Sequence, residues 1–275
     1  MRRSARIAAV TKLLVERPYQ TITLTCLSEW LGAAKSTLSE DIAIIRETFA
    51  ELGLGRVETI AGAAGGVRYV PLLTPEQMRE IVNRVAEALA DPERILPGGF
   101  LYMNDILGDT QLLAQIGEVF ATRFADRSPG AVVTVETGGI PIAMATARAL
   151  NVPLAIVRRS GRLGDGTVVT MNYVTGPGQQ METMALPRRA IRPGTRVLVV
   201  DDVMRAGGTA RGLIDLMREL DAEVVGIGVL VETAVPEQKL VDDYTSLVVV
   251  ESVSERPKEV VVRPSPWVAA EETKR

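Results

Sequence analysis

Apolar residues recur along the first part of this chain with a helical period, and along the rest in short runs that alternate with helical segments. Ile7, Val10, Leu13 and Leu14 share one face of an opening helix that Pro18 ends, and Arg2, Arg3 and Arg6 precede or open it. A short second helix from about Thr25 turns Leu24, Leu27 and Leu31 inward, with Gly32 as its C-cap. A third helix is expected to start at a capping box, Thr37 with Glu40, and to align Leu38, Ile42, Ile45, Phe49 and Leu52 on its buried face. Ser36, Ser39, Ala43 and Arg46 occupy the opposite face. Residues 56–60 and 67–70 read as two strands around the glycine-rich stretch 61–66, and 71–75 as a linker, so a first domain spans residues 1–73.

The second domain, 74–275, opens with a helix at 76–89. Residues 100–106 follow, with Tyr102 among apolar neighbours, a setting that by itself reads as core. Helix 112–124 leads to a buried strand at 131–135, the turn Glu136-Thr137-Gly138-Gly139 and a helix over 140–150. Strand 153–157 ends in Arg158-Arg159, which suits either a polyanion or a solvated pair. Glycines 161, 164, 166, 176 and 178 surround a strand pattern at 168–174, the signature of a mobile two-stranded flap. Residues 197–200 form an aliphatic run typical of a strand buried on both faces, and Leu213, Leu216, Met217 and Leu220 place a helix after Gly208. Strands at 224–231 and 247–250, with a short edge element at 260–267, complete an α/β domain built on a parallel sheet, with loops for a ligand at strand carboxyl ends.

Composition narrows the chemistry. Hydrophobics at 47% and charged residues at 24% describe an ordinary globular protein. There is no histidine, which removes Ser-His and Cys-His pairs and the usual general base. Cys26 is the only cysteine, so neither an intrachain disulfide nor a cysteine-held metal is expected, and a reducing cytoplasm fits. No run approaches the roughly 20 apolar residues of a membrane helix, and the start lacks the apolar core of a signal peptide. Residues 1–73 carry nine Lys/Arg against seven Asp/Glu, and the remainder 22 against 27. That slight basic excess is a weak sign of nucleic-acid binding, so placement matters more than the sum.

The chemistry concentrates after strand 197–200. Asp201 and Asp202 follow it, and Arg205-Ala206-Gly207-Gly208-Thr209 forms the turn into the next helix. Glycines let backbone N–H groups converge, the helix N-terminus adds partial positive charge, and the Thr209 hydroxyl adds a donor, which together make a phosphate seat. Two carboxylates beside a phosphate repel it unless they serve another part of the ligand, and sugar hydroxyls are suitable partners. The ligand implied is a ribose 5-phosphate, against the plainer alternative of an ordinary strand-to-helix connection. Thr137, Gly138 and Gly139 form a second phosphate-sized turn.

Four hydrophobics, two acids and a Gly/Thr turn resemble the phosphoribosyl-pyrophosphate (PRPP) motif of the type I phosphoribosyltransferases. The resemblance implies that Asp201 and Asp202 contact the ribose hydroxyls, that 206–209 bind the 5-phosphate, that Thr137, Gly138 and Gly139 meet the pyrophosphate, and that the flap closes over them. In the first domain, two helices joined by Gly32-Ala33-Ala34-Lys35 make a helix-turn-helix, and the two strands make it winged. Lys35, Ser36 and Ser39 would face DNA from the third helix, with Arg68 and the glycine-rich wing at the backbone. A dimerisation module is the alternative.

Together, the Arg-Arg-Ser near the start, Ala34-Lys35-Ser36, Ser39-Glu40-Asp41, the wing at 62–67 and the stretch 201–209 resemble the purine operon repressors of Gram-positive bacteria over essentially the whole chain. The resemblance implies a homodimeric repressor of purine biosynthesis and salvage genes that binds double-stranded operator DNA and is released by PRPP. The DNA-binding residues would include Arg2, Arg3 and Arg6. Some members also bind ppGpp in the same pocket, where Tyr102 and Arg205 would contribute, and Arg158 would join the PRPP site. Arg205 stands where lysine is expected, and Gly138 where a basic residue is. An active purine phosphoribosyltransferase is the competing reading. It is disfavoured because several relatives place an acidic general base at the position of Arg205, and a cation cannot accept that proton. A third class, a partner-binding domain with a vestigial pocket, leaves the two acids and the Gly-Gly-Thr turn unexplained. No catalytic residue, cofactor, metal or membrane contact is expected.

Overall fold

The computed structural model describes residues 1–62, 65–159, 166–175 and 180–270. Ala63, Ala64, Ser160, Gly161, Gly164, Gly176 and Gly178, which belong to the expected wing and flap, lie outside them. The chain divides into two compact units between Thr74 and Pro75, one residue beyond the expected boundary. Pro75 opens the next helix, where its missing N–H costs nothing.

The first unit contains α1 (Arg3–Glu16), β1 (Ile22–Thr23), α2 (Leu24–Leu31), α3 (Lys35–Glu51), β2 (Arg56–Ile60) and β3 (Gly66–Val70). Thr23 caps α2 by accepting from the Cys26 amide, and Gly32 ends it at φ 60. The expected capping box is incorrect, because α3 already begins at Lys35. Ala34 is its extended N-cap and accepts from the Leu38 amide, which leaves Thr37 inside the first turn. Leu52 is also misplaced by the periodicity: the helix ends at Glu51, Gly53 turns at φ 61, and Leu52 is 61% exposed. The sheet order is β1-β3-β2, with β2 and β3 forming the antiparallel wing. Strand β1 is too short to carry a pattern, and it pairs Ile22 with Val67 and Thr23 with Gly66. A side chain at Gly66 would overlap the Ile22 carbonyl, so glycine is what lets β1 join.

Val10, Leu14, Leu27, Leu38, Ile42, Ile45 and Phe49 form the core of this unit. One ion cluster lies beside it. Asp41 on α3 is fully buried and accepts from Arg6 Nε at 2.8 Å and Arg3 Nε at 3.3 Å. A buried carboxylate is tolerated only when paired, so these bonds tie the start of α1 to α3.

The second unit contains α4 (Pro75–Leu89), the hairpin β4 (Ile95–Leu96) and β5 (Phe100–Leu101), α5 (Thr110–Phe124), β6 (Ala131–Val135), α6 (Gly139–Leu150), β7 (Leu154–Val157), the ribbon β8 (Val168–Thr175) and β9 (Gln180–Pro187), β10 (Arg196–Met204), α7 (Gly208–Glu219), β11 (Glu223–Thr233), β12 (Thr245–Glu255), β13 (Lys258–Pro264) and α8 (Pro266–Ala270). A six-stranded sheet runs β13-β12-β11-β10-β6-β7. Four of its five pairings are parallel; the exception is at the edge, where β13 starts and ends earlier than the expected element and runs antiparallel to β12. On β11, Ile227 and Val229 face the α7 side with Leu213, Leu216 and Met217, while Gly226 and Gly228 leave room on the other face for the stacked rings of Phe124 and Phe120. The ribbon is not a free arm along its whole length. Tyr173, Met184 and Leu186, spread along its length, are buried with the α7 residues, and Gly212 makes space for Tyr173 and Met184. Among the described residues no helix is long and apolar enough to cross a membrane.

Replacing Arg6 by alanine should leave Asp41 buried with only the longer Arg3 bond. Denaturant unfolding of the first unit's transition is expected to show a loss of about 3 kcal/mol or more; a change below 0.5 kcal/mol on the scale of surface substitutions, roughly, would show that the cluster contributes no net stability.

Candidate functional site

Adjacent parallel strands bring the two phosphate-sized turns together. Val197, Leu198 and Val199 of β10 are in register with Ala131, Val132 and Val133 of β6, so both strands end at the same edge of the sheet. There Gly138 and Gly139 pack directly on the acids. A methyl group at Gly138 would overlap the Asp202 carboxylate, and one at Gly139 would meet Thr134 Oγ1 and the Asp201 carboxylate. Gly138 is therefore more than a missing cation, since any side chain there displaces a ribose-binding candidate. Asp201 Oδ1 accepts from the Asp202 amide at 2.9 Å and Asp202 Oδ1 from the Val203 amide at 2.9 Å, which orients both carboxylates locally.

Asp201 is held in an unfavourable place. Burial, and then the Asp202 charge, push its carboxyl well above the usual range. Arg159 works against that shift. The next turn supplies opposite character: Gly207 adopts φ 85 as the N-cap of α7, and the Ala206 carbonyl accepts from the Leu240 amide at 2.9 Å. A cavity of about 240 Å³ is lined by Asp201, Arg205, Ala206, Gly207, Gly208 and Thr209 among others. The first amides of α7 have no intrahelical acceptor, so this turn can seat a phosphate a few residues from two hydroxyl acceptors.

One sequence-based placement needs correction: Tyr102 is not core. It is 44% exposed, and its backbone is held at both ends by Arg94. Phe100, two residues earlier on β5, is the aromatic that meets the site, with the Arg205 guanidinium 5.3 Å from its ring centre. The hairpin is fixed by the Arg94–Asp105 pair and by Glu255, which accepts from the Gly98 amide at 2.7 Å and the Gly99 amide at 3.0 Å. Arg158 bonds through its backbone to Ala185, whereas Arg159 is the arginine that acts on Asp201. The Arg159 amide donates to Glu136 and its guanidinium to Glu182, which also accepts from Tyr173 Oη. Phe100 carries no sequence signal of its own, and the Arg158-Arg159 pair does not by itself say which arginine faces the acids, because both are assigned by elements that meet only in three dimensions. Among the described residues no group of three His, Cys, Asp or Glu could hold a metal.

In the first unit Lys35, Ser36 and Ser39 are exposed along the start of α3, with Ser39 Oγ donating to the Lys35 carbonyl. Arg2 is exposed. Arg3 and Arg6 are ion-paired with Asp41, and Arg68 with Glu58 at 2.6 Å.

Two acids at the end of a central parallel strand, a Gly-Gly-Thr helix start and a glycine turn on the neighbouring strand define a phosphoribosyltransferase-type domain, here preceded by a winged helix. Family models agree: residues 2–71 match the bacterial purine repressor N-terminal domain and residues 104–265 the phosphoribosyl transferase domain. The chain is 44% identical to the purine biosynthesis transcriptional repressor PurR of Bacillus subtilis (strain 168), over 95% of its own length and 92% of the relative's. It is 38% identical to the purine biosynthesis transcriptional activator PurR of Lactococcus lactis subsp. lactis (strain IL1403), over 92% and 93%. The crystal structure of an adenine phosphoribosyltransferase from Rhodothermus marinus superimposes with a TM-score of 0.51 at 27% identity, covering 61% of this chain and 97% of that one. The chain belongs to the PurR family of purine biosynthesis regulators.

Because the folded protein raises the Asp201 pKa, ionised Asp201 opposes folding. Its stabilising contribution is greatest below the ordinary aspartate value of about 3.9 and falls as pH rises toward the raised value. Asp201→Asn should therefore melt at a higher temperature than wild type near neutral pH, with the gain shrinking as pH falls toward about 4 and lost below it. Each kcal/mol recovered corresponds to about 2–4 °C in Tm. An equal or lower Tm at neutral pH would show that the buried charge is compensated.

Proposed function

We propose that this protein represses purine biosynthesis and salvage genes, holding operator DNA as a homodimer through its winged helix and releasing it when PRPP occupies the second unit. The flap ribbon closes over the bound ligand, and ppGpp competes for the same phosphate seat. The observation that carries the reading is a single cavity lined by Asp201 and the Gly-Gly-Thr turn, with the Arg205 guanidinium 5.3 Å from the Phe100 ring centre beside it. The seat can bind, yet a fixed cation stands where several related enzymes hold an acidic base. Ligand recognition without group transfer follows: the two acids take the ribose hydroxyls, the start of α7 takes the 5-phosphate, and Arg205 lies beside the diphosphate end. Family membership supports transcriptional control, and because a family member is named an activator, the sign of control is part of the proposal.

PRPP must bind the DNA-free form more tightly, and each ligand then weakens the other by the same factor. A 100-fold effect corresponds to about 2.7 kcal/mol of coupling. Electrophoretic shifts on a duplex from upstream of a purine biosynthesis gene should show binding by wild type and by Asp202→Ala, with PRPP dissociating only wild type. Equal release of both would show that Asp202 does not read the ribose. Wild type incubated with PRPP and adenine, guanine, hypoxanthine, xanthine or uracil should yield no nucleotide; steady turnover with any base would replace the sensor by an enzyme.

A further inference from the structure

A groove of about 720 Å³ lies between α3 and the wing of the first unit. Lys35, Ser39, Ala43 and Arg46 form one wall, at spacings that place them on a single face of the helix. Gly62, Gly65 and Gly66 of the wing form another, with hydroxyls from Thr23, Thr25 and Thr59. No acidic residue lines it, although residues 1–73 contain seven.

The distribution of carboxylates is selective. Of the nine Lys/Arg in this region, Arg3, Arg6, Lys12, Arg56 and Arg68 are ion-paired. Lys35 and Arg46, both exposed and not ion-paired with any carboxylate among the described residues, face the groove. Arg68 points elsewhere. On β3, side chains alternate between faces: Val67 is buried and lines the groove, so Arg68 projects oppositely, where Glu58 directly across on β2 holds it.

We infer that one sugar-phosphate strand of duplex DNA runs through this groove, with its phosphates bound by Lys35 at one end and Arg46 at the other, and that Arg3, Arg6 and Arg68 are structural rather than DNA-contacting. This rests on the reading of the winged helix as the DNA-binding unit. A polyanion fits the groove because its open charges are all positive. The three wing glycines present no side chains, so a backbone can approach closely, and the threonines offer hydroxyl donors to phosphate oxygens. A major-groove contact by the start of α3 alone would leave Arg46, three turns along the helix, without a partner.

The test measures operator affinity of the full chain against salt concentration, using the duplex described above and an unrelated duplex of equal length. Losing one phosphate contact lowers the magnitude of the log–log slope by about 0.9 for each protomer bound. Arg46→Ala should show that drop on both duplexes and weaken binding about tenfold, while melting at the wild-type temperature; Arg46→Lys should restore the slope. Arg68→Ala should leave the slope unchanged. An Arg46→Ala slope equal to wild type, or a drop with Arg68→Ala instead, overturns the placement while leaving DNA binding itself intact. Wild type that binds neither duplex overturns the DNA-binding reading, and the placement falls with it.

Discussion

Two carboxylates forced together at the end of a buried strand govern the second unit. Asp201 is buried and Asp202 half-buried at the end of the innermost strands, and burial first, then the Asp202 charge, raises the proton affinity of Asp201. The neighbouring turn has to be glycine for the acids to fit at all, since Gly138 and Gly139 touch the carboxylates themselves. Sites for ligands commonly hold this kind of unrelieved electrostatics.

Arg205 is held by an element far from the motif that carries it. The phosphate seat depends on backbone geometry, a left-handed Gly207 and the first amides of α7, which tolerate many side chains nearby. A cation at position 205 finds an aromatic partner in Phe100, and that ring is presented by a hairpin tied to the far end of β12 through Glu255. One edge of the pocket is therefore built from segments about 150 residues apart in sequence. Arg159, Glu136, Glu182 and Tyr173 tie the opposite edge to the ribbon in the same manner.

In the first unit, charge placement does what net charge cannot. An excess of two positive charges is small, but carboxylates neutralise the arginines that brace the helices and the wing and leave the α3 groove open. Pairing Asp41 with Arg6 and Arg3 is also what permits a carboxylate inside the helical core.

Periodicity alone was enough to place most helices and strands, because burial of one face imposes a 3.6- or 2-residue repeat that survives in the residue order. The phosphate turn was legible for a similar reason: a strand, two acids and a Gly-Gly-Thr helix start form one contiguous stretch with its own local geometry. Boundaries set by backbone turns rather than by side-chain pattern were not, as Thr37 and Leu52 show. Partnerships were hidden too. Whether Arg3, Arg6 and Arg68 are free, which of Arg158 and Arg159 serves the carboxylates, and whether Phe100 or Tyr102 meets Arg205 depend on residues brought close only by folding. A charge or a ring acts over a few ångströms of space, and distance along the chain carries no record of that.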